Sequence, residues 1–361
     1  MKIVKSLFVV LLFLLLSTSY VVAQGKMETP STSLIVSAQD SFGQVVEVSH
    51  PLSSIAIVGK AALMPADALY LFPKSKEIPV TMAKTDQGLG DFFSIIVPTD
   101  NATQRLGQQV GAEEILSINP DLILTKSRNK KDIASLISGF DIPLFALDLE
   151  TMDSWKEEII ELGKLLNENQ RAQVVVDEIN RREDIISERV LDVDKPSVLV
   201  LQGNSNNAVT SFSIAPKEWI QSELIVKAGG RPITLEGSSS GWSTVSFEQI
   251  AAWNPDYIII VSYKSKGSPF TNQIYSSSAW KELKVVKERN VYLAPSDYVN
   301  YFQPNSRWIL ALQWLAHTIH PAIFSDSNME DEVASFYYEM YSITDTKVLN
   351  QLVDMYNASL Q

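Results

Sequence analysis

The chain carries one short phrase twice: EEILSINPDLIL, Glu113 to Leu124, and EQIAAWNPDYII, Glu248 to Ile259. In each copy an acidic residue is followed two places on by Ile, then by Asn-Pro-Asp and an apolar run, and every matched position is offset by 135 residues, as from Glu113 to Glu248. The acidic residue opens a short amphipathic helix, Pro stops it and Asp starts a strand, because the residue before Pro avoids helical dihedrals. One copy is ordinary helix-to-strand punctuation. Two copies at a fixed offset imply two similar halves.

The flanking segments correspond in order. In the first half SIAIVG, Ser54 to Gly59, reads as a buried strand, followed by a helix through Leu71 and a strand IPVTM, Ile78 to Met82. In the second half SVLVLQG, Ser197 to Gly203, is followed by a helical KEWIQSELIVKAGG and then by PITL. After each phrase the order stays in step: DLILT, KKDIASLISG and IPLFALD in the first half, DYIIIVS, SAWKELKVV and NVYLAPS in the second. Apolar runs alternating with helical patterns predict parallel sheets covered on both faces. The expected fold class is α/β: two Rossmann-like lobes with parallel sheets, joined by a single long connector helix, with a ligand cleft between the lobes.

The connector is SWKEEIIELGKLLNENQRAQVVVDEINRREDIISERV, which has no Gly or Pro after Gly163 and carries apolar residues at helical spacing. A break is expected near Asn167. From Glu168 to Val190 the helix would run about 34 Å, and one stiff crossing predicts limited hinge motion. The implied boundaries are a leader at 1–23, a first lobe at 24–152, a connector at 153–193, a second lobe at 194–300 and C-terminal helices at 301–361.

Lys2 and Lys5 precede an apolar run from Leu7 to Leu16, too short to remain as a membrane span. Val21 and Ala23 are small residues at the spacing of a signal-peptidase site, so cleavage after Ala23 and export are expected. The remaining 338 of 361 residues exceed what a single core usually serves, consistent with two lobes. With no cysteine, neither disulfides nor a lipid-bearing cysteine operate. The net charge of −12, more negative still without the two leader lysines, argues against nucleic acid or anionic lipid as the main partner.

No catalytic constellation emerges. There is no G-x-S-x-G, Walker or G-x-G-x-x-G motif, and of the three histidines only His317 and His320 stand close, with no third ligand to make a metal site. Loops at the C-terminal ends of strands, where open α/β sheets bind ligands, are more informative. In the second half they present Trp242, Tyr298, Tyr301, Phe302, Arg307 and Phe212 among Ser, Gly and Asn; in the first half, Lys60, Phe93, Arg105, Lys126 and Arg128. Aromatics and cations so placed are candidates to line a face for a large, partly flat, anionic ligand.

An exported, cysteine-free chain with two α/β lobes, one connector helix and twin acidic helix starts resembles the substrate-binding proteins of ABC importers. It resembles in particular the branch that captures ferric siderophores, haem and cobalamin. The resemblance runs from about Val46 to Phe324 and is carried by AEEILSINPDLIL, VSFEQIAAWNPDYIII, AWKELKVVKERNVYLAP and RWILALQWLAHTIHP. It implies that Glu113 and Glu248, each seven residues before the Pro of its phrase, dock onto the membrane permease, and that Trp242, six residues before Glu248, lines the pocket. Gly107 holds the corresponding first-lobe place, so the lobes are unequal. The loop FSIIVPTDNATQR before Glu113 is longer than in smaller members of the family.

The implied function is a periplasmic binding protein, not a lipoprotein and not an enzyme, with no resident cofactor or metal. It would capture a metal chelate, whether a ferric siderophore, haem or a cobalamin-like corrinoid, and deliver it to an ABC permease dimer with a cytoplasmic ATPase. For haem, Tyr298 or Tyr301 is a candidate axial ligand. The competing expectation is a secreted, transferase-like α/β enzyme with an interlobe active site, since fold alone does not separate the two. The leader, the missing catalytic constellation and the paired glutamates favour binding.

Overall fold

A computed structural model of the protein describes residues 34–84, 88–97, 103–107, 110–206, 209–237, 241–264 and 267–361. The leader expected at residues 1–23 lies outside the described residues, as do Ser238, Ser239 and Ser240 of the loop before Trp242. An antiparallel hairpin, β1 (Leu34–Gln39) and β2 (Val45–His50), precedes the first lobe.

That lobe comprises β3 (Ile55–Ile57), α1 (Leu63–Leu69), β4 (Val80–Ala83), α2 (Phe93–Ile96), β5 (Gln104–Leu106), α3 (Ala112–Ile118), β6 (Leu122–Lys126), α4 (Lys130–Leu136) and β7 (Leu144–Leu147). Its five strands run parallel in the order β5-β4-β3-β6-β7. β3, β4 and β6 are buried at every position, which is why they read as unbroken apolar runs and not as alternating ones.

Two helices, α5 (Met152–Leu165) and α6 (Asn169–Arg189), carry the chain onward, and Asn167 between them adopts a left-handed φ of 55°. Thr151 and Ser154 form a reciprocal cap at the start of α5. The second lobe then comprises β8 (Ser197–Asn206), β9 (Val209–Ile214), α7 (Ile220–Lys227), β10 (Arg231–Pro232), β11 (Ser243–Val245), α8 (Phe247–Trp253), β12 (Tyr257–Val261), α9 (Ser268–Ser276), α10 (Lys284–Lys287) and β13 (Val291–Leu293).

The second sheet has the order β11-β9-β8-β12-β13, with β10 parallel beside the start of β8. The lobes therefore match strand for strand, except that β9 pairs antiparallel with both β8 and β11 and is wedged between them. Of the segment QGNSNNAVTSF, expected as a loop, residues 202–206 and 209–212 pair as strands of this ladder, and Phe212 turns inward against Phe270 and Trp280. Phe212 is thus a core residue and not a ligand-facing one.

Three helices finish the chain: α11 (Trp308–Ile319), α12 (Met329–Tyr341) and α13 (Thr346–Ser359). α11 is buried almost all round, with Trp308 set edge-on to Trp155 of α5 at 6.0 Å. One apolar core runs from β3 and β4 through α5 and α6 to α11 and α12, with a smaller cluster outside each sheet. Among the described residues no helix is long and apolar enough to cross a membrane.

The repeated phrase has a common structural role. Asn119 (φ 48°, ψ 58°) and Asn254 (φ 44°, ψ 60°) end α3 and α8 in the left-handed region, which Asn tolerates better than most residues. Each following Asp then holds the start of the neighbouring central strand. Asp121 Oδ2 accepts from Ser53 N and Oγ and from Ser54 N, and Asp256 Oδ2 accepts from Ser197 N and Oγ.

Candidate ligand-binding site

Because α3 joins β5 to β6, both parallel, its N-terminus lies at the C-terminal edge of the first sheet. α8 does the same between β11 and β12. These edges are where α/β sheets bind ligands, and a cavity of about 510 Å³ lies at the edge of the second sheet. Ile260 and Ser262 at the end of β12, and Leu293 at the end of β13, form its floor. Ser296, Asp297 and Asn300 supply one side, Lys264, Gly267 and Ser268 at the start of α9 another, and the first lobe contributes Gly88 and Leu89.

The first-lobe segment is held across the gap by backbone hydrogen bonds. Gly88 N donates to Tyr263 O at 3.0 Å and Leu89 N to Tyr298 O at 2.6 Å. Glycine is needed at position 90, where a Cβ would stand 2.6 Å from Tyr298 Cδ1. Tyr263 is in turn the edge partner of Trp242 at 5.9 Å.

The remaining wall is α13, with Met355, Ala358, Ser359 and Gln361 at the cavity. Behind the loop side lies a buried polar cluster that ties the lobes together. Arg307 Nη1 is 2.5 Å from Asp67 Oδ1 of α1, its Nε donates to Asp297 Oδ2 at 3.1 Å, and its guanidinium lies 4.3 Å from the Phe92 ring centroid. Tyr341 donates to Asp67 and Tyr337 to Asp297, and burial pushes both phenol groups far above their ordinary range, which keeps them protonated as donors.

The aromatic wall expected from sequence gives way to a lining in which Leu89, Ile260, Leu293 and Met355 stand among small and polar side chains, and its cation is Lys264 and none of those singled out from sequence. Tyr301, Phe302 and Arg307 are completely buried, and Phe93 nearly so. Tyr301 stacks on Tyr356, Phe302 packs on Trp314, and Phe93 packs on Tyr70 and Phe92. Lys60 is exposed after β3, with its carbonyl bonded by Asn129, away from the cavity lining. Tyr298 and Trp242, both half-buried, stand one layer behind the wall: Tyr298 OH accepts from Gln351, and Trp242 packs between Trp219 and Tyr263. Among the described residues the lining contains no aromatic side chain.

Of the remaining cations singled out, Arg105 pairs with Asp91, and Lys126 is buried beside Glu150. His317 bonds Ser327 and His320 bonds Gly229 O, so both have structural partners. The lining residues missed from sequence, above all Ser262, Lys264 and Ser268, lie in VSYKSKGSP directly after a strand, the positional signal that would have found them.

Glu113 and Glu248 are both exposed in the first turns of α3 and α8, at the cavity-side edge of their sheets. Neither is the helix cap. α8 is capped by Ser246 with Gln249 completing the reciprocal box, and α3 starts at Gly111.

Residues 138–298 match the family described as periplasmic binding protein. The molybdate-binding protein MolA of Haemophilus influenzae is 20% identical, over 91% of this chain and 94% of its own. The iron-uptake system-binding protein of Bacillus subtilis is 22% identical, over 81% and 92%. A solved periplasmic solute binding protein of Veillonella parvula superposes with a TM-score of 0.70 at 22% identity, covering 91% of this chain and 98% of that one. The resemblance to the substrate-binding proteins of ABC importers is thereby borne out, as is the two-lobed α/β fold.

Proposed function

We propose, from the periplasmic binding protein family of the central segment as premise, that this chain captures a small metal-containing ligand outside the cytoplasm. It would hand that ligand to an ABC permease with its ATPase. The observation that carries this reading is the cavity of about 510 Å³ walled by both lobes at the C-terminal strand edge, a size suited to a ligand of a few hundred daltons. The ligand class we favour is a compact polar metal chelate such as a ferric siderophore. A porphyrin or corrin calls for flat walls with aromatic stacking, whereas the described lining holds no ring and sets Leu89, Ile260, Leu293 and Met355 among serines, Lys264, Asp297 and Asn300. Export through the leader, release into the periplasm and docking by Glu113 and Glu248 complete the proposal.

A second reading, a tetrahedral oxyanion, is favoured by Ser262, Ser268 and Ser296, by Lys264 and by the N-terminus of α9, all at the cavity. Such an ion would fill only a small part of the volume, so the chelate is preferred. Calorimetric titration with ferric ferrioxamine B, haemin, cyanocobalamin, nickel(II)–histidine and molybdate separates these readings, and mass spectrometry of the recovered ligand tests for turnover. A ligand recovered chemically altered would overturn the binding-protein reading in favour of an enzyme.

A further inference from the structure

The last helix does more than cover the core. Its residues divide into two adjoining faces. Leu352 and Tyr356, four apart, are buried, and Tyr356 stacks parallel on Tyr301 at 6.2 Å and 10°. Gln351 Nε2 donates to Tyr298 OH at 2.7 Å. These contacts anchor α13 to the strand-end loop that forms one side of the cavity.

The neighbouring face, Met355, Ala358 and Ser359, opens on the cavity. Ser359 is committed to bracing: its hydroxyl donates to Tyr356 O at 2.7 Å and accepts from Ser296 N at 3.0 Å. Met355 is half-buried and Ala358 exposed, and both border an open cleft and not a sealed core. A face whose whole task was sealing a core would be buried. Met355 is unbranched and polarizable, suited to adapting to a ligand surface, and Ala358 leaves room for one.

We propose that α13 is a specificity-determining wall of this cleft: Met355 and Ala358 contact the bound ligand, and the small side chain at 358 sets the largest ligand that enters. The proposal rests on the cleft reading above. Side-chain bulk at 358 would project into the cavity, so Ala358→Trp is expected to fold normally while obstructing the ligand.

The test is calorimetric titration of the full chain with the five probes named above, applied to wild type, Ala358→Trp, Asp354→Trp on an exposed position outside the lining, and Ser268→Trp on the α9 side of the cavity. The expected result is at least a tenfold loss of affinity in Ala358→Trp for the largest probe that binds, a smaller loss for smaller probes, and an unchanged apo melting temperature. Asp354→Trp should match wild type. Ala358→Ser should retain affinity. Because the chain has no cysteine, Ala358→Cys gives a single thiol whose maleimide labelling the bound probe should slow. Unchanged affinity in Ala358→Trp together with a loss in Ser268→Trp would overturn the role of α13 and leave the cleft in place. Unchanged affinity in both, or no probe bound by wild type, would remove the cleft reading and this proposal with it.

Discussion

Arg307 and Asp67, 240 residues apart, form a completely buried ion pair that joins the start of α11 to the first helix of the first lobe. Asp297 shares the guanidinium, Ser306 donates from N and Oγ to Asp67, and Tyr337 and Tyr341 bring α12 into the same cluster. Arg182 of α6 is bonded likewise to Glu332 of α12, which ties the connector to the C-terminal helices. Removing one partner of a buried pair leaves the other charge uncompensated. Arg307→Met should therefore cost about 3–5 kcal/mol in urea unfolding, and adding Asp67→Asn should return part of that loss. A cost below about 1 kcal/mol would show that the cluster does not clamp the lobes.

The paired aspartates of the repeated phrase should give the fold an acid-sensitive seam. Hydrogen bonds from Ser197 N and Oγ hold the Asp256 carboxyl below its ordinary value. At Asp121 burial pushes upward, but the bonds from Ser53 and Ser54 outweigh it and the net shift is also downward. A depressed folded value contributes stability that is present above the unfolded value, near 4, and is lost as pH falls through the folded one. Asp256→Ala should cost about 1 kcal/mol at pH 7, the bonds being partly screened by solvent. The difference from wild type should shrink below about pH 4, and a difference that is flat with pH would place the effect in packing instead.

Glu158 titrates with the opposite sign. Burial pushes its carboxyl up to about 8, against the backbone donors of Asp148 and Leu149 and the nearby Lys126 that favour the charged form. The folded state then binds a proton that the unfolded state has released, so this contribution is present below the ordinary value of 4.5 and lost as pH rises towards about 8. Glu158→Gln should gain on wild type steadily between these limits and level off above them. Chemical denaturation at half-unit pH steps reads this directly, and parallel curves for the two proteins would refute it.

How much of this was visible in the sequence depended on whether the signal was local. The two Asn-Pro-Asp phrases are local, and they reported the two lobes and the helix stop before each following strand, as Asn167 reported the break in the connector, because turn chemistry belongs to a few adjacent residues. The cleft wall is not local. Tyr301, Phe302 and Phe93 sit among residues of loop composition yet are buried, because the strand-end loops stack on α11, α13 and one another. Arg307 read as a ligand cation because nothing near it in sequence announces Asp67. The hairpin of β8 and β9 was missed for a related reason: its Asn and Ser residues are satisfied by a ladder whose pairing is not written in hydrophobic alternation.

Glu113 and Glu248 close the argument from the phrase to function. Both are exposed, both stand in the first turn of a crossover helix, and neither caps it. In α3 the neighbouring Glu114 accepts from Gly107 N at 3.4 Å, while in α8 the capping box belongs to Ser246 and Gln249. The helix dipole favours a carboxylate in each first turn, and Glu248 is held by its own backbone N–H and by Ser246, whereas docking would ask more of the pair: two pseudo-equivalent lobes meeting a two-fold permease would each present one carboxylate. Rim charges of this kind act on encounter and orientation and are screened by salt. Glu113→Arg combined with Glu248→Arg should reduce ligand-stimulated ATPase activity and uptake by about tenfold or more in proteoliposomes holding the partner permease. Affinity for the soluble ligand should stay at the wild-type value, because neither side chain lines the cavity, with only a small loss of thermal stability from reversing a charge at each helix start. Each single reversal should have a smaller effect, and raising the salt should narrow the gap between wild type and variants. Full uptake by the double variant would assign the repeated glutamates to the fold alone.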